Sequence, residues 1–378
     1  MVSPLQTLRV CWLTTSSVAF TFLQGSKRGA PLLNHTSCVA MSSSTNASGE
    51  TKPKIFVTRT DYPKNGIDLL LKKYDVEIYP KEKTIISKEE LILGIKGKSG
   101  IFCSLNDKID KEVLSAAGPQ LRVVSTMSVG VEHVDLKECQ KLSIKVGYTP
   151  NVLTEATAEL TMALLLATSR RLFEANTQLR TGGWSSWAPV WMCGPALKGS
   201  TIGLVGFGRI GREVAYKLKA FHVGKILYTD SGKSPSADKK EAATELGAER
   251  LDLEPLLAAA DFVIVTCALT PQTQGMFNSQ RFGLMKPTAI FINTGRGGVV
   301  DHEALYDALK NSKIWAAGLD VMTPEPLPTD HKLIELPNCV LLPHIGSATY
   351  QSRMAMSELT ANNIICALEG RPMPAEYL

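Results

Sequence analysis

From Pro53 onward the chain alternates short apolar runs with longer stretches in which apolar residues recur at helical spacing. Residues 54–58, 76–79, 100–103, 121–126 and 144–147 read as strands, with helices at 66–73, 110–117 and 134–141. Residues 154–171, rich in Ala and Leu, predict a long helix with Thr154 as its cap. A second alternating series begins at Thr201, with strands at 201–205, 225–229, 262–267, 289–293, 316–321 and 339–342. Helices at 209–220, 253–260 and 302–311 separate them, and a helix at 351–369 closes the chain. Strand–helix alternation of this kind builds parallel sheets covered by helices on both faces. The six strands of the second series match a doubly wound nucleotide fold.

The length of 378 residues exceeds what one core supports, so two domains are expected. A hydrophobic share of 44% with 20% charged residues excludes a disordered chain. No stretch reaches the roughly 18–20 apolar residues of a membrane-spanning helix. The net charge of +5 is small and includes no basic block that would follow a nucleic-acid backbone. Residues 1–50 carry three bases (Arg9, Lys27, Arg28) and one acid (Glu50), net +2, leaving +3 for the remaining 328 residues. This Ser/Thr-rich, acid-poor opening resembles a targeting leader. It reads as an organellar presequence, as a secretory signal centred on residues 18–23, or as a dispensable segment before an alternative start at Met41. Two sequons, at Asn34 and Asn46, also fall there. The eight cysteines are never closer than 27 residues, so no CxxC pair suggests zinc or a redox dithiol. Cys103 and Cys267 sit in apolar runs and read as core residues of a reducing compartment.

Gly206-Phe-Gly208-Arg209-Ile210-Gly211 follows an apolar strand and opens a helix. Gly206 permits a tight turn, Gly208 lets backbone N–H groups approach a pyrophosphate, and Gly211 allows close helix–strand packing. Asp230, at the end of the next strand, is placed to bond the ribose 2′-hydroxyl of NAD, yet Ser231, Gly232 and Lys233 could instead wrap a 2′-phosphate. Three later segments put reactive side chains just beyond strand ends. These are Asn293-Thr-Gly-Arg296, Gly318-Leu-Asp320 continuing to Glu325-Pro326, and Leu342-Pro-His344-Ile-Gly346-Ser347. Three tryptophans within residues 184–191 (Trp184, Trp187, Trp191) form either a surface arm or a locally packed loop.

Taken together, these segments resemble the D-isomer-specific 2-hydroxyacid dehydrogenases, from about Lys54 to the C-terminus. The resemblance is strongest to the glyoxylate/hydroxypyruvate reductase branch, through Ser125-Thr-Met-Ser-Val129-Gly130-Val131, Gly147-Tyr-Thr-Pro150, Gly182-Gly-Trp184-Ser-Ser-Trp187 and Leu342-Pro-His344-Ile-Gly-Ser-Ala-Thr349. It implies an α/β protein with two Rossmann-like, doubly wound parallel-sheet domains. A discontinuous substrate domain, 51–152 plus 350–378, would surround a cofactor domain at 153–349, behind a 1–50 leader. It implies NAD(P)H-dependent reduction of small 2-oxo acids, with His344 as proton donor. Arg296 would hold the carboxylate and polarise the carbonyl, and Glu325 would orient His344 and keep it protonated near neutral pH. Val129 and Gly130 would bind the carboxylate through N–H groups, with Ser347 beside His344. Gly206, Gly208, Arg209, Ile210, Gly211, Asp230, Ser231, Lys233, Ala268, Thr294, Asp320 and Gly346 would line the cofactor. The branch implies a homodimer in which Trp187 reaches the partner's site. It also implies NADPH as the preferred cofactor, although the usual Arg after the second strand is replaced here by Asp230-Ser231, so NADH stays open. No metal, nucleic acid or membrane is implied.

The cytoplasm is the expected location, with mitochondria as the alternative. Glu325 opposes a formate-type enzyme, whose branch pairs the His with an amide, and no regulatory domain follows to suggest a phosphoglycerate type. A nucleotide-sensing, corepressor-like binding protein on the same scaffold is the competing reading. The C-terminal Glu376-Tyr377-Leu378 is not a peroxisomal address.

Overall fold

Five strands, β1 (Lys54–Val57), β2 (Asp75–Ile78), β3 (Gly100–Cys103), β4 (Val123–Thr126) and β5 (Lys145–Gly147), form a parallel sheet in the order β2-β1-β3-β4-β5, with β3 and β4 buried at every position. They come from a computed structural model, which describes residues 52–81, 84–231 and 236–378. The described residues belong to one unit, Ser44–Leu378. The expected leader with its sequons, and Lys233, lie outside the described residues.

The second sheet contains β6 (Thr201–Val205), β7 (Lys225–Thr229), β8 (Glu249–Arg250), β9 (Phe262–Val265), β10 (Ile290–Asn293), β11 (Ala316–Leu319) and β12 (Cys339–Leu341). Their order is β12-β11-β10-β9-β6-β7-β8, all parallel. The order reverses between β6 and β9, the place where open α/β sheets bind ligands. β9, β10 and β11 are buried at every position, as expected for central strands covered on both faces.

Three expectations need correction. The six-strand sheet has a seventh strand, β8, whose two exposed residues carry no apolar alternation. The long helix ends at Ser169, because Arg171 adopts a left-handed conformation (φ 51°) and a second helix, Leu172–Arg180, starts there. Thr154 is the first helical residue rather than the cap, which is Leu153 with no side-chain bond. Helices Lys88–Ile95, Ala237–Leu246 and Ser279–Leu284 were also not foreseen. The first of them carries a reciprocal Ser87–Glu90 capping box, a signal present in the sequence.

The terminal helix Tyr350–Leu368 leaves the seven-stranded sheet and packs on helix Lys64–Leu71 and on β3, β4 and β5. Its apolar residues Ile364, Ile365 and Leu368 join the core formed by Ile55, Leu70 and Phe102. The last residues then blunt the edge at β5, with Val146 N–H donating to Leu378 O at 2.9 Å. Ile210, from the glycine loop, touches the cores of both sheets. Among the described residues no helix is long and apolar enough to cross a membrane.

Candidate active site

A cleft of about 2320 Å³ is lined by Val129 and Gly130 from the five-stranded side and by Arg296, Asp320, Glu325, His344, Gly346 and Ser347 from the seven-stranded side. Arg209, Ile210, Ala268 and Thr294 line it as well. The strand ends explain the convergence, because β10, β11 and β12 run side by side and deliver Arg296, Asp320 and His344 to one edge.

Each reactive side chain is fixed by its own turn. Fully buried Asn293 clamps the Arg296 turn, donating to Arg296 O at 3.0 Å and accepting Gly295 N–H at 3.0 Å. The Arg296 guanidinium donates through Nη1 to Gly295 O (2.8 Å), and its Nε lies 3.4 Å from Glu132 Oε1 across the cleft. His344 sits at φ 53°, a conformation costing a non-glycine residue about 1–3 kcal/mol. Asp320 holds it there. Its carbonyl accepts His344 N–H, and its carboxylate accepts Ile345 and Gly346 N–H, all at 2.8 Å. Burial pushes the Asp320 carboxyl up, against the pull of these N–H groups and of His344. The role expected for Asp320 beside the nicotinamide is therefore joined by a mechanical one.

Glu325 bridges Met322 N–H (2.8 Å to Oε1) and His344 Nδ1 (2.7 Å from Oε2). Burial raises its carboxyl, but the bond and charge of His344, with Met322 and Arg296, outweigh that and hold it below the ordinary carboxylate range. An ionised Glu325 at Nδ1 leaves Nε2 as the ring atom free to deliver a proton. Ser347, three residues on, completes the wall.

The facing loop is set by a relay of hydrogen bonds. Ser128 Oγ donates to Gly130 O (2.6 Å) and meets Thr126 Oγ1 (2.9 Å), which meets His133 Nε2 (2.9 Å). Among the described residues, the N–H groups of Val129 and Gly130 have no acceptor. Two unpaired donors facing an arginine make a carboxylate site.

The glycine loop fits a dinucleotide. Gly206 has φ 104°, and a Cβ at Gly211 would lie 2.1 Å from Gly206 O. Nothing stands within 4 Å of where a Gly208 Cβ would be, leaving a cradle beside the uncapped start of helix Arg209–Lys219. Arg209 is tied to Asn151 at 2.7 Å, and the Thr294 hydroxyl to Thr161 at 2.8 Å. Beyond the loop, Asp230 is clasped by Lys239 (2.7 Å) and Arg250 (3.2 Å), with Ser231 exposed beside it. Trp187 stays apart from the cleft, 80% exposed, with Trp184 and Trp191 also exposed. Among the described residues no cluster of His, Cys, Asp or Glu could hold a metal.

Sequence reasoning missed Glu132, Lys239 and Arg250. Glu132 lies next to the recognised Val129-Gly130-Val131 segment, which was its one available signal. Lys239 and Arg250 belong to a helix and a strand that were not foreseen.

The family model of the D-isomer specific 2-hydroxyacid dehydrogenase NAD binding domain matches residues 162–346. The chain is 50% identical over 325 residues to the glyoxylate reductase/hydroxypyruvate reductase of Homo sapiens, covering 85% of this chain and 97% of that protein. It is 44% identical to the glyoxylate reductase of Thermococcus kodakarensis, covering 85% and 95%. A crystal structure of the NADPH-dependent glyoxylate/hydroxypyruvate reductase of Sinorhizobium meliloti, in complex with NADP and malonate, superposes with a TM-score of 0.74 at 31% identity, covering 86% and 97%. These likenesses extend well beyond the matched domain to both sheets. The chain belongs to the D-isomer-specific 2-hydroxyacid dehydrogenase family, whose members are NAD(P)-dependent oxidoreductases.

Proposed function

We propose that this dehydrogenase reduces glyoxylate to glycolate and hydroxypyruvate to D-glycerate. One observation carries the reading: the Glu325–His344 pair faces Arg296 and the two unpaired N–H groups of Val129 and Gly130 in one cleft. The N–H groups and Arg296 hold the substrate carboxylate, and Arg296 polarises the C2 carbonyl. A bound reduced nicotinamide supplies the hydride to C2. His344 Nε2 gives its proton to the carbonyl oxygen, and Glu325 stabilises the ring before and orients it throughout. The named relatives support the substrates, since the matches cover 85% of this chain and 97% and 95% of their own lengths.

NADPH is the proposed cofactor, with NADH accepted. Support comes from the Asp230 clasp: Lys239 and Arg250 offset the acid that would repel a 2′-phosphate and set two cations beside the ribose. The substrate domain is proposed as 51–152 with 350–378, around a cofactor domain at 153–349. A homodimer is proposed because Trp184, Trp187 and Val190 form an exposed apolar arm that an isolated chain leaves in water. Buried free thiols at Cys103, Cys139 and Cys366 support a reducing compartment, the cytoplasm on this reading, or mitochondria if residues 1–50 act as a leader. Oxidation of NADPH and NADH with each acid tests the function. Turnover of both acids supports it, and cofactor binding without turnover of either favours a nucleotide sensor.

A further inference from the structure

The cations and anions of the cleft nearly all come in pairs. Glu325 is paired with His344, Glu132 with Arg296, and both Asp320 oxygens accept backbone N–H groups. Among the described residues the exceptions are Lys64, which is exposed, and Arg353, which is partly buried and is the informative one. It lines the same cleft from helix Tyr350–Leu368, and its side chain has no hydrogen-bond or ion-pair partner among the described residues. It is only partly exposed, and burial pulls its proton affinity down against the distant attraction of Asp320.

Such a placement does nothing for the fold. A partly buried guanidinium without acceptors costs free energy, and a cation near a helix N-terminus opposes the helix dipole. The helix begins six residues after His344 and is anchored to the five-stranded side, where Asn65 Nδ2 donates to Met354 O at 2.9 Å and Ser357 Oγ to Pro63 O at 2.8 Å. That anchoring sets Arg353 in the cleft lined by His344, Ser347, Val129 and Gly130, within electrostatic reach of Asp320. There it supplies donors beyond those that hold the carboxylate.

We propose that Arg353 is a specificity-determining residue that recognises an oxygen on C3 of the 2-oxo acid. The inference rests on the proposed reduction of glyoxylate and hydroxypyruvate and explains how one site serves both. Glyoxylate has no C3 and leaves Arg353 to water, whereas hydroxypyruvate offers it a hydroxyl as acceptor.

The test is steady-state kinetics of the full chain and of Arg353→Gln and Arg353→Lys with glyoxylate, hydroxypyruvate and pyruvate, whose C3 is a bare methyl. Thermal melting confirms that each variant is folded. Arg353→Gln is expected to lower kcat/KM for hydroxypyruvate at least about tenfold, mostly through KM. Glyoxylate and pyruvate should change little, and Arg353→Lys should recover part of the loss. An equal fall with all three acids, or no fall with hydroxypyruvate, overturns the proposal. Wild-type protein that turns over glyoxylate but shows no advantage for hydroxypyruvate over pyruvate also overturns it, while leaving the reductase reading intact. A wild-type protein inactive with every acid overturns that reading first, and this inference with it.

Discussion

Nδ1 of His344 lies 2.7 Å from Oε2 of Glu325, and the other oxygen of that carboxylate accepts Met322 N–H at 2.8 Å. The carboxylate is thus oriented by the backbone before it orients the ring. Because Glu325 is held below the ordinary carboxylate range, it stays ionised through neutral pH and gives Nδ1 of His344 a charged acceptor.

Glu325→Gln removes that charge while keeping the shape. Reduction should slow through kcat, because a neutral amide cannot give Nδ1 the charge-assisted bond that orients the ring. Steady-state kinetics alongside a cofactor-binding titration check this, and an unchanged kcat contradicts it.

Gly130 is the second position with a sharp expectation. A Cβ there would lie 2.0 Å from Arg296 Nη2 and 2.2 Å from Glu132 Oε2. Gly130→Ala must therefore push the guanidinium away from the carboxylate site. A displacement of that size should cost about 10²-fold in kcat/KM for the 2-oxo acid, with cofactor affinity and melting temperature retained.

The fold was written into the chain most plainly where a short apolar run is buried at its centre. Residues 100–103, 201–205 and 225–229 form the strands expected of them to the residue, because each is such a run between polar breaks. β8 has only Glu249 and Arg250, and no hydrophobic period marks it. Helix Ala237–Leu246 buries just Ala242 and Leu246, too little for a stripe. The same limit applies at the site. Arg296, Glu325 and His344 were readable from their motifs, but the Glu132–Arg296 pair joins loops that follow strands of different sheets, and pairs set by tertiary packing leave no local spacing to read. Trp187, open between a surface arm and a locally packed loop in the sequence, is 80% exposed in the single chain.

Arg250 and Lys239 should govern cofactor choice. Arg250→Ala frees Asp230 on one side and removes a cation from the ribose end of the site. KM for NADPH should rise by about tenfold while KM for NADH changes little or falls. A wild-type enzyme strongly preferring NADH contradicts the assignment.

His133 gives a stability prediction of opposite character. Burial lowers its pKa to about 4, from 6.5, with Arg296 adding to the effect and Glu132 opposing it. The unfolded chain therefore binds the proton more tightly than the folded one. The ring's contribution is present above pH 6.5 and is lost as pH falls toward about 4, by ~3 kcal/mol at most. Urea unfolding of wild type and His133→Asn across that window measures it, and the variant should show a shallower acid decline.

The most direct measurement of the central claim compares His344→Ala with wild type for reduction of glyoxylate and for binding of NADPH. Because Glu325 and Asp320 place this ring as the proton donor, turnover should fall by about 10²–10⁴-fold. Cofactor binding should be unchanged, since the glycine loop and the Asp230 clasp do not touch His344. Turnover that survives the substitution, or cofactor binding lost in step with it, contradicts the account.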